Sequence, residues 1–245
     1  MFDFNLNGTS AASIGVFAVR RPNIPTPKLK IETISVPCVD GVFTCNDNSF
    51  DAIKFEIECN FMSKTPETFN QEARTVRSWL LRNQMSQLIF NDDPNYFYNT
   101  KIIQPSDIER ASKRIGVFTI SVTCDPYMYR TDGQQEIEII NKQILKNPTT
   151  FSAKPTYKLT GTGKFKISIN PLVQPLIYDF YIDVTDSATI NTNLLLAYDS
   201  KGTSVINNVT FGDFNNLMLH PSNNKFYIDI PSGGNISIIP NWREM

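Results

Sequence analysis

Strict two-residue alternation marks the clearest segments of this chain. From Ile53 to Phe61, the side chains of Ile53, Phe55, Ile57, Cys59 and Phe61 fall on one side. Lys54, Glu56, Glu58 and Asn60 fall on the other. Successive side chains of a strand point to opposite faces, so the segment predicts a strand with one face on a core and the other in water. Residues 117 to 124 repeat the pattern, with Phe118, Ile120, Val122 and Cys124 inward and Thr119, Ser121 and Thr123 outward. Cys59 and Cys124 thus share apolar faces. A free cysteine there behaves as a small hydrophobe, so both are expected as buried, inert thiols.

One stretch has a helical period. Phe69, Ala73, Val76 and Leu80 recur at helical spacing beside Trp79, while Arg74, Arg77 and Arg82 lie largely off that stripe. Thr65 is the expected cap, Pro66 the first helical residue, Glu67 the acid at the positive end and Asn83 the stop. The helix should cover one face of a sheet. Turn chemistry separates the strands: Asn91-Asp92-Asp93-Pro94 follows the short strand Leu88-Ile89-Phe90, Pro105-Ser106-Asp107 breaks the chain again, and Asp125-Pro126-Tyr127 ends the strand from 117. After residue 150 only strands and turns are legible. Thr156–Thr160 and Phe165–Ile169 flank Gly161-Thr162-Gly163 and read as a hairpin. Ile177–Val184, Leu194–Tyr198, 204–206, Phe226–Ile230 and Ile236–Ile239 follow at regular spacing, which predicts a β-sandwich. The break between the two patterns falls within 131 to 150, opened by Thr131-Asp132-Gly133 and closed by Asn147-Pro148-Thr149-Thr150. The pattern therefore predicts a mainly β protein: a β-rich first domain with one helix, 1–135, and a β-sandwich, 136–245.

Composition narrows the function. The 245 residues are 41% hydrophobic and 19% charged, too apolar for a disordered chain and too poorly charged for a coiled coil. A net charge of −1 argues against a dedicated nucleic-acid or anionic-membrane binder. No apolar run approaches the roughly 18 residues of a membrane span, and Met1–Ser10 lacks the basic and apolar regions of a secretory signal. Cys38, Cys45, Cys59 and Cys124 contain no C-x-x-C spacing, so a reducing setting with free thiols is expected. Asn7 and Asn208 match the glycosylation pattern, but in an Asn-rich chain without a signal these are expected chance matches.

Chemistry is hard to find in the sequence. Nucleophilic catalysis needs a positioned base, and the single histidine, His220, precedes Pro221 in a turn-like stretch. Gly161-Thr162-Gly163 lacks the third glycine and the following helix of a phosphate cradle. Glu56 and Glu58 sit on the outer face of a strand, and Asp92-Asp93 sit beside a turn proline; all four read as solvated acids. No catalytic residue, metal ligand or cofactor-binding residue is expected.

An ordered set of short motifs resembles the distal tail protein of siphophages that infect Gram-positive bacteria. It begins with Ile14-Gly15-Val16-Phe17 and Arg20-Arg21-Pro22-Asn23-Ile24-Pro25-Thr26-Pro27-Lys28. Then comes Ile34 to Gly41, where Cys38 and Val39 depart from the family's Pro-Gly-Arg-Asp-Gly. Trp79-Leu80, Phe90 to Tyr98, and Ile115-Gly116-Val117-Phe118 to Tyr127 continue the match. In the second half, Leu196 to Ser200, Gly212-Asp213-Phe214, Leu217, Pro221 to Asn224 and Ile238 to Arg243 resemble the family's galectin-like domain.

The resemblance implies a tail-tube-like belt domain followed by a galectin-like β-sandwich, assembled as a homohexameric ring at the end of the tail. Such a ring joins the tail tube protein to the tail-tip protein, supports receptor-binding proteins and passes DNA only transiently through its channel. It is assembled in the host cytoplasm, carried in the virion, and neither inserted in a membrane nor enzymatic. Arg20, Arg21, Tyr96, Phe97 and Tyr98, within the stretches that carry the match, are the expected oligomer-interface residues. The competing classes are a carbohydrate-binding module, for which Trp242 would be the stacking residue although its fit to the family ending implies that it docks the C-terminus, and a cell-wall hydrolase, against which the missing catalytic motif argues.

Overall fold

The computed structural model describes residues 2–35, 37–38, 40–173 and 178–245. Val36, Val39 and Ile177, which belong to stretches read above, lie outside them. The chain divides into two compact units, Met1–Met128 together with Met245, and Tyr129–Glu244.

The first unit contains β1 (Phe4–Leu6), β2 (Thr9–Ser10), β3 (Val16–Ala18), β4 (Leu29–Ile34), β5 (Phe43–Phe50), β6 (Ile53–Met62), α1 (Phe69–Arg82), β7 (Gln87–Phe90), β8 (Tyr96–Pro105), β9 (Glu109–Arg110) and β10 (Ile115–Arg130), the last running into the second unit. The main sheet runs β2-β1-β7-β8-β10-β6-β3, with β9 beside β10. The two alternating segments lie side by side and antiparallel. Phe118 is paired with Cys59, Ile120 with Ile57, Val122 with Phe55 and Cys124 with Ile53. This register puts the apolar set of each strand on the same face, and Ile53, Phe55, Ile57, Cys59 and Phe61 are buried as the alternation requires.

Helix α1 closes that face with Phe69, Ala73, Val76 and Leu80. It begins later than its cap signals suggest. Thr65 and Thr68 instead close a turn of their own, the Thr68 N–H donating to Thr65 Oγ1 at 3.3 Å and the Thr68 hydroxyl to the Thr65 carbonyl at 3.1 Å. The first helical bond runs from the Glu72 N–H to the Thr68 carbonyl. Phe69 can then enter the core, 5.5 Å from the Phe61 ring. Asn83 ends the helix as read, its side-chain amide donating to the Trp79 carbonyl at 2.8 Å.

The second unit contains β11 (Ile137–Glu138), β12 (Ile144–Asn147), β13 (Thr156–Thr160), β14 (Gly163–Pro171), β15 (Tyr178–Val184), β16 (Ser187–Asn191), β17 (Leu196–Tyr198), β18 (Val209–Phe211), β19 (Ser222–Asp229) and β20 (Asn235–Ile239). One sheet runs β11-β20-β13-β16-β17, the other β12-β19-β14-β15-β18. Tyr157, Ile190 and Ile238 from the first pack with Phe165, Phe180 and Phe226 from the second in one core, the arrangement of a sandwich. The Gly161-Thr162-Gly163 segment is not a hairpin turn. It carries the chain from β13 in one sheet to β14 in the other, with φ of 117° at Gly161 and 134° at Gly163, values open to glycine. Hairpin and crossing bury the same alternating faces, so the local pattern does not separate them.

The division between units falls ahead of residue 135 and of the 131–150 segment. Within the following stretch, Ile137 pairs with Ile238 and Ile139 is buried in the sandwich core. Gly133 lies so close to Trp242 that an added Cβ would come within 2.7 Å of its backbone nitrogen. These contacts assign the stretch to the second unit.

Candidate functional surfaces

Arg20 and Arg21 follow β3 at the surface. Arg20 forms an exposed ion pair with Glu58 at 3.2 Å. Arg21 pairs with Asp92 and lies over the Phe90 ring, 5.0 Å from its centroid. It therefore ties the Asn91-Asp92-Asp93-Pro94 turn to the core beneath. Tyr96 is partly exposed, whereas Phe97 and Tyr98 are buried. The Tyr98 ring sits 6.1 Å from both Phe55 and Phe90, and burial pushes its hydroxyl up to about 12. Of the five expected interface residues, Arg20, Arg21 and Tyr96 remain available at the surface, while Phe97 and Tyr98 are committed to their own unit.

The acids read as solvated behave so, Glu58 and Asp92 serving as partners of the two arginines. His220 is half-buried, which lowers its pKa from the usual value. Its backbone N–H donates to Asn224 Oδ1 at 3.0 Å, and the Asn224 amide donates back to its carbonyl at 2.9 Å. That exchange shapes the loop. Among the described residues, no three of His, Cys, Asp and Glu gather as a metal site.

The exposed features are shapes and patches. Strands β4 and β5 form a two-stranded ribbon that pairs with no other strand among the described residues. Every residue of β4 is exposed. The ribbon turns apolar side chains to water: Ile31 is 52% exposed, Phe43 59% and Ile34 54%. Such exposure in a two-stranded ribbon marks an interaction surface.

In the second unit the chain turns from β16 to β17 through two exposed leucines, Leu194 and Leu195. Asn191 Oδ1 accepts the N–H groups of Asn193 at 3.0 Å and Leu194 at 3.1 Å, and Leu195 adopts φ of 54°. A leucine pays about 1–2 kcal/mol for a left-handed conformation. Leu195→Gly should therefore raise stability by about 1 kcal/mol in urea unfolding of the chain. A loss instead would show that the leucine side chain holds the turn by packing.

The outer face of the β12-β19-β14-β15-β18 sheet presents aromatic side chains that the alternation analysis did not single out. Tyr181 and Phe211 meet edge to face at 6.1 Å, and Lys225 lies over Tyr227. Two cations cover the Tyr181 ring, with Lys164 Nζ at 5.1 Å and Lys166 Nζ at 5.6 Å. Asp179 accepts hydrogen bonds from Ser168 and Lys166, which hold its carboxyl below the usual range. Trp242 is 5% exposed within the sandwich core and so cannot stack on a sugar. Its carbonyl accepts the Arg130 N–H at 2.9 Å, and Asn241 bonds to Gly133 and Lys154, docking the end of the chain.

These surfaces sit on a recognisable frame. Residues 10–124 match the family model of the phage tail protein RIFT-related domain. The match spans most of the first unit. Across both units the fold is similar to that of the Dit (gp 19.1) protein of phage SPP1, described as a paradigm of the hub adsorption apparatus in phages infecting Gram-positive bacteria. The TM-score is 0.64 at 14% identity, over 97% of this chain and 98% of that one. Chains of the phage p2 baseplate in its activated conformation are also similar. The form with Ca gives 0.50 at 11% identity over 97% of each chain; the form with Sr gives 0.51 at 11% over 100% of this chain and 97% of that one. No curated protein sequence is significantly similar. The resemblance to siphophage distal tail proteins read from the motifs is thus met by a family-model match within the first unit and by a similar, mainly β fold across both.

Proposed function

We propose that this tail protein is the structural hub of a siphophage tail tip, in which six copies close a ring through their first units. The observation that carries the reading is the exposed β4–β5 ribbon of the phage tail domain, whose apolar side chains its own unit leaves uncovered. Cyclic head-to-tail contacts close when the rotation between copies allows it, and a neighbouring copy supplies the missing cover. Arg20, Arg21 and Tyr96 would lie at or near such contacts. The ring would join the tail tube protein to the tail-tip protein, support receptor-binding proteins on its galectin-like second units, and let DNA pass through its centre. Built in the host cytoplasm and carried at the virion's tail tip, it would work by geometry and perform no chemistry. A saccharide-binding role for the second unit has less support, because Trp242 is buried and lysines cover the Tyr181 ring.

The test is the symmetry of the particle. Electron microscopy of assembled tails should show six-fold density at this level, and a closed particle in solution should have a mass of about 167 kDa, six times the 27.8 kDa of the chain. Ile31→Glu with Phe43→Glu should abolish the ring while circular dichroism shows the β fold intact. Two-fold symmetry in assembled tails, or a ring that survives both substitutions, would overturn the reading.

A further inference from the structure

The outer face of α1 carries three guanidinium groups, those of Arg74, Arg77 and Arg82, and none forms an ion pair or hydrogen bond among the described residues. The arginines elsewhere behave differently: Arg20, Arg21 and Arg130 have carboxylates, and Arg110 lies over the Phe69 ring. No acid shares the face. The helix's one carboxylate, on Glu72, is turned aside to accept the Lys64 backbone N–H at 3.3 Å. In a chain of net charge −1, this is a concentrated cationic strip left uncompensated.

The strip borders a groove of about 540 Å³ lined by Gln71, Arg74, Ser78, Trp79 and Arg82. Its polar groups are mainly donors, and one of them is unmet: the Trp79 indole N–H is out of reach of water and has no acceptor. That N–H is sealed within the protein, so a ligand in the groove is held by the guanidinium groups on its rim. A groove rimmed by guanidinium groups suits a ligand rich in anionic oxygens.

Two features select a polypeptide over a phosphate chain. Around the helix, Leu81 falls between Arg74 and Arg77, and it is 57% exposed. An aliphatic side chain set among arginines fits the mixed contacts of a protein interface, where arginine is enriched. The spacing also agrees. Arg74, Ser78 and Arg82 repeat every four residues, about 6 Å along the axis. Alternate side chains of an extended strand repeat at about 6.6 Å on one face. A run with acids at every second position therefore lays its carboxylates along the strip in register, the Arg74 and Arg82 forks taking the outer two bidentately and the Ser78 hydroxyl donating to the one between.

We propose that this groove docks an extended acidic segment of a partner protein, one with carboxylates at alternate positions. For the origin of that partner among tail proteins it rests on the hub reading, but the docking itself belongs to the single chain. The experiment uses the full chain in solution, in conditions where it is monomeric, so its result is independent of ring closure. The probe is a labelled synthetic peptide of alternating glutamate and serine, about twelve residues long, followed by fluorescence anisotropy and by the indole N–H resonances of the two tryptophans. Saturable binding is expected, with a shift of the Trp79 indole signal alone. Affinity should fall at least about ten-fold in the Arg74→Gln, Arg82→Gln double variant, which alters only exposed side chains. The matched glutamine-serine peptide should not bind. No saturable binding up to about 1 mM, equal binding by the double variant, or tighter binding of a DNA duplex of matched charge would each overturn the inference.

Discussion

Raising the pH from about 8 to about 11 is expected to destabilise the folded chain by about 5 kcal/mol through Cys59 and Cys124 alone. Both thiols are fully buried between apolar neighbours, and that burial lifts each from an ordinary 9.0 to about 12; at Cys124 the adjacent Asp125 charge adds to the effect. The unfolded chain releases these protons first. Their contribution is therefore complete below about pH 9 and is lost as the pH climbs towards 12. Tyr98, also raised to about 12, adds to the decline above about pH 10. Urea titrations across this range should show the midpoint falling steeply. Replacing both cysteines by alanine should remove most of the slope while leaving the Tyr98 part. An equal decline in the double variant would mean that the thiols stay protonated in the unfolded chain or are not sequestered in the folded one.

Truncating Phe61 to alanine should cost about 4 kcal/mol, at the upper end for core phenylalanines. The ring is fully buried and packs on Phe69. Directly across the ladder from Phe61 is Gly116, which has no side chain to move into the space. Gly116 cannot be filled to compensate either, because an added Cβ would meet Ile108 at 2.6 Å and Phe69 at 3.2 Å. On the other side the partner is Val16, a short and stiff side chain. A site that cannot collapse keeps its cavity, and the cost grows with the volume left behind. Denaturant unfolding of Phe61→Ala beside Phe61→Leu measures this. A loss below about 2 kcal/mol would show that α1 shifts inward to refill the space.

The candidate surfaces were only partly legible. Arg20, Arg21 and Tyr96 reach the surface. Tyr96-Phe97-Tyr98 reads as a uniform aromatic run, yet Phe97 and Tyr98 are both buried at the start of β8, so the simple alternation that works in β6 is not kept there. Nothing in the local pattern signals that departure. The arginines of α1 stood off the apolar stripe from the outset. That they have no carboxylate depends on what the rest of the chain places nearby, and residue spacing does not contain it. The aromatic pair at Tyr181 was missed for a similar reason: Tyr181 and Phe211 come from different strands and meet only across the sheet, with Tyr227 two strands away beyond β14.

What the sequence determined by itself is whatever depends on near neighbours along the chain. The alternation of β6 and β10 placed Cys59 and Cys124 in the core, the apolar stripe found α1 with its end at Asn83, and the glycines and prolines marked where the chain turns. Tertiary structure decided which strand meets which. It made Gly161-Thr162-Gly163 a crossing between sheets, paired Ile137 with Ile238, and set Trp242 against Gly133. The reason is that side-chain period is set by the backbone of each strand, whereas sheet membership is set by contacts between residues far apart in sequence, among several pairings that bury the same faces equally well.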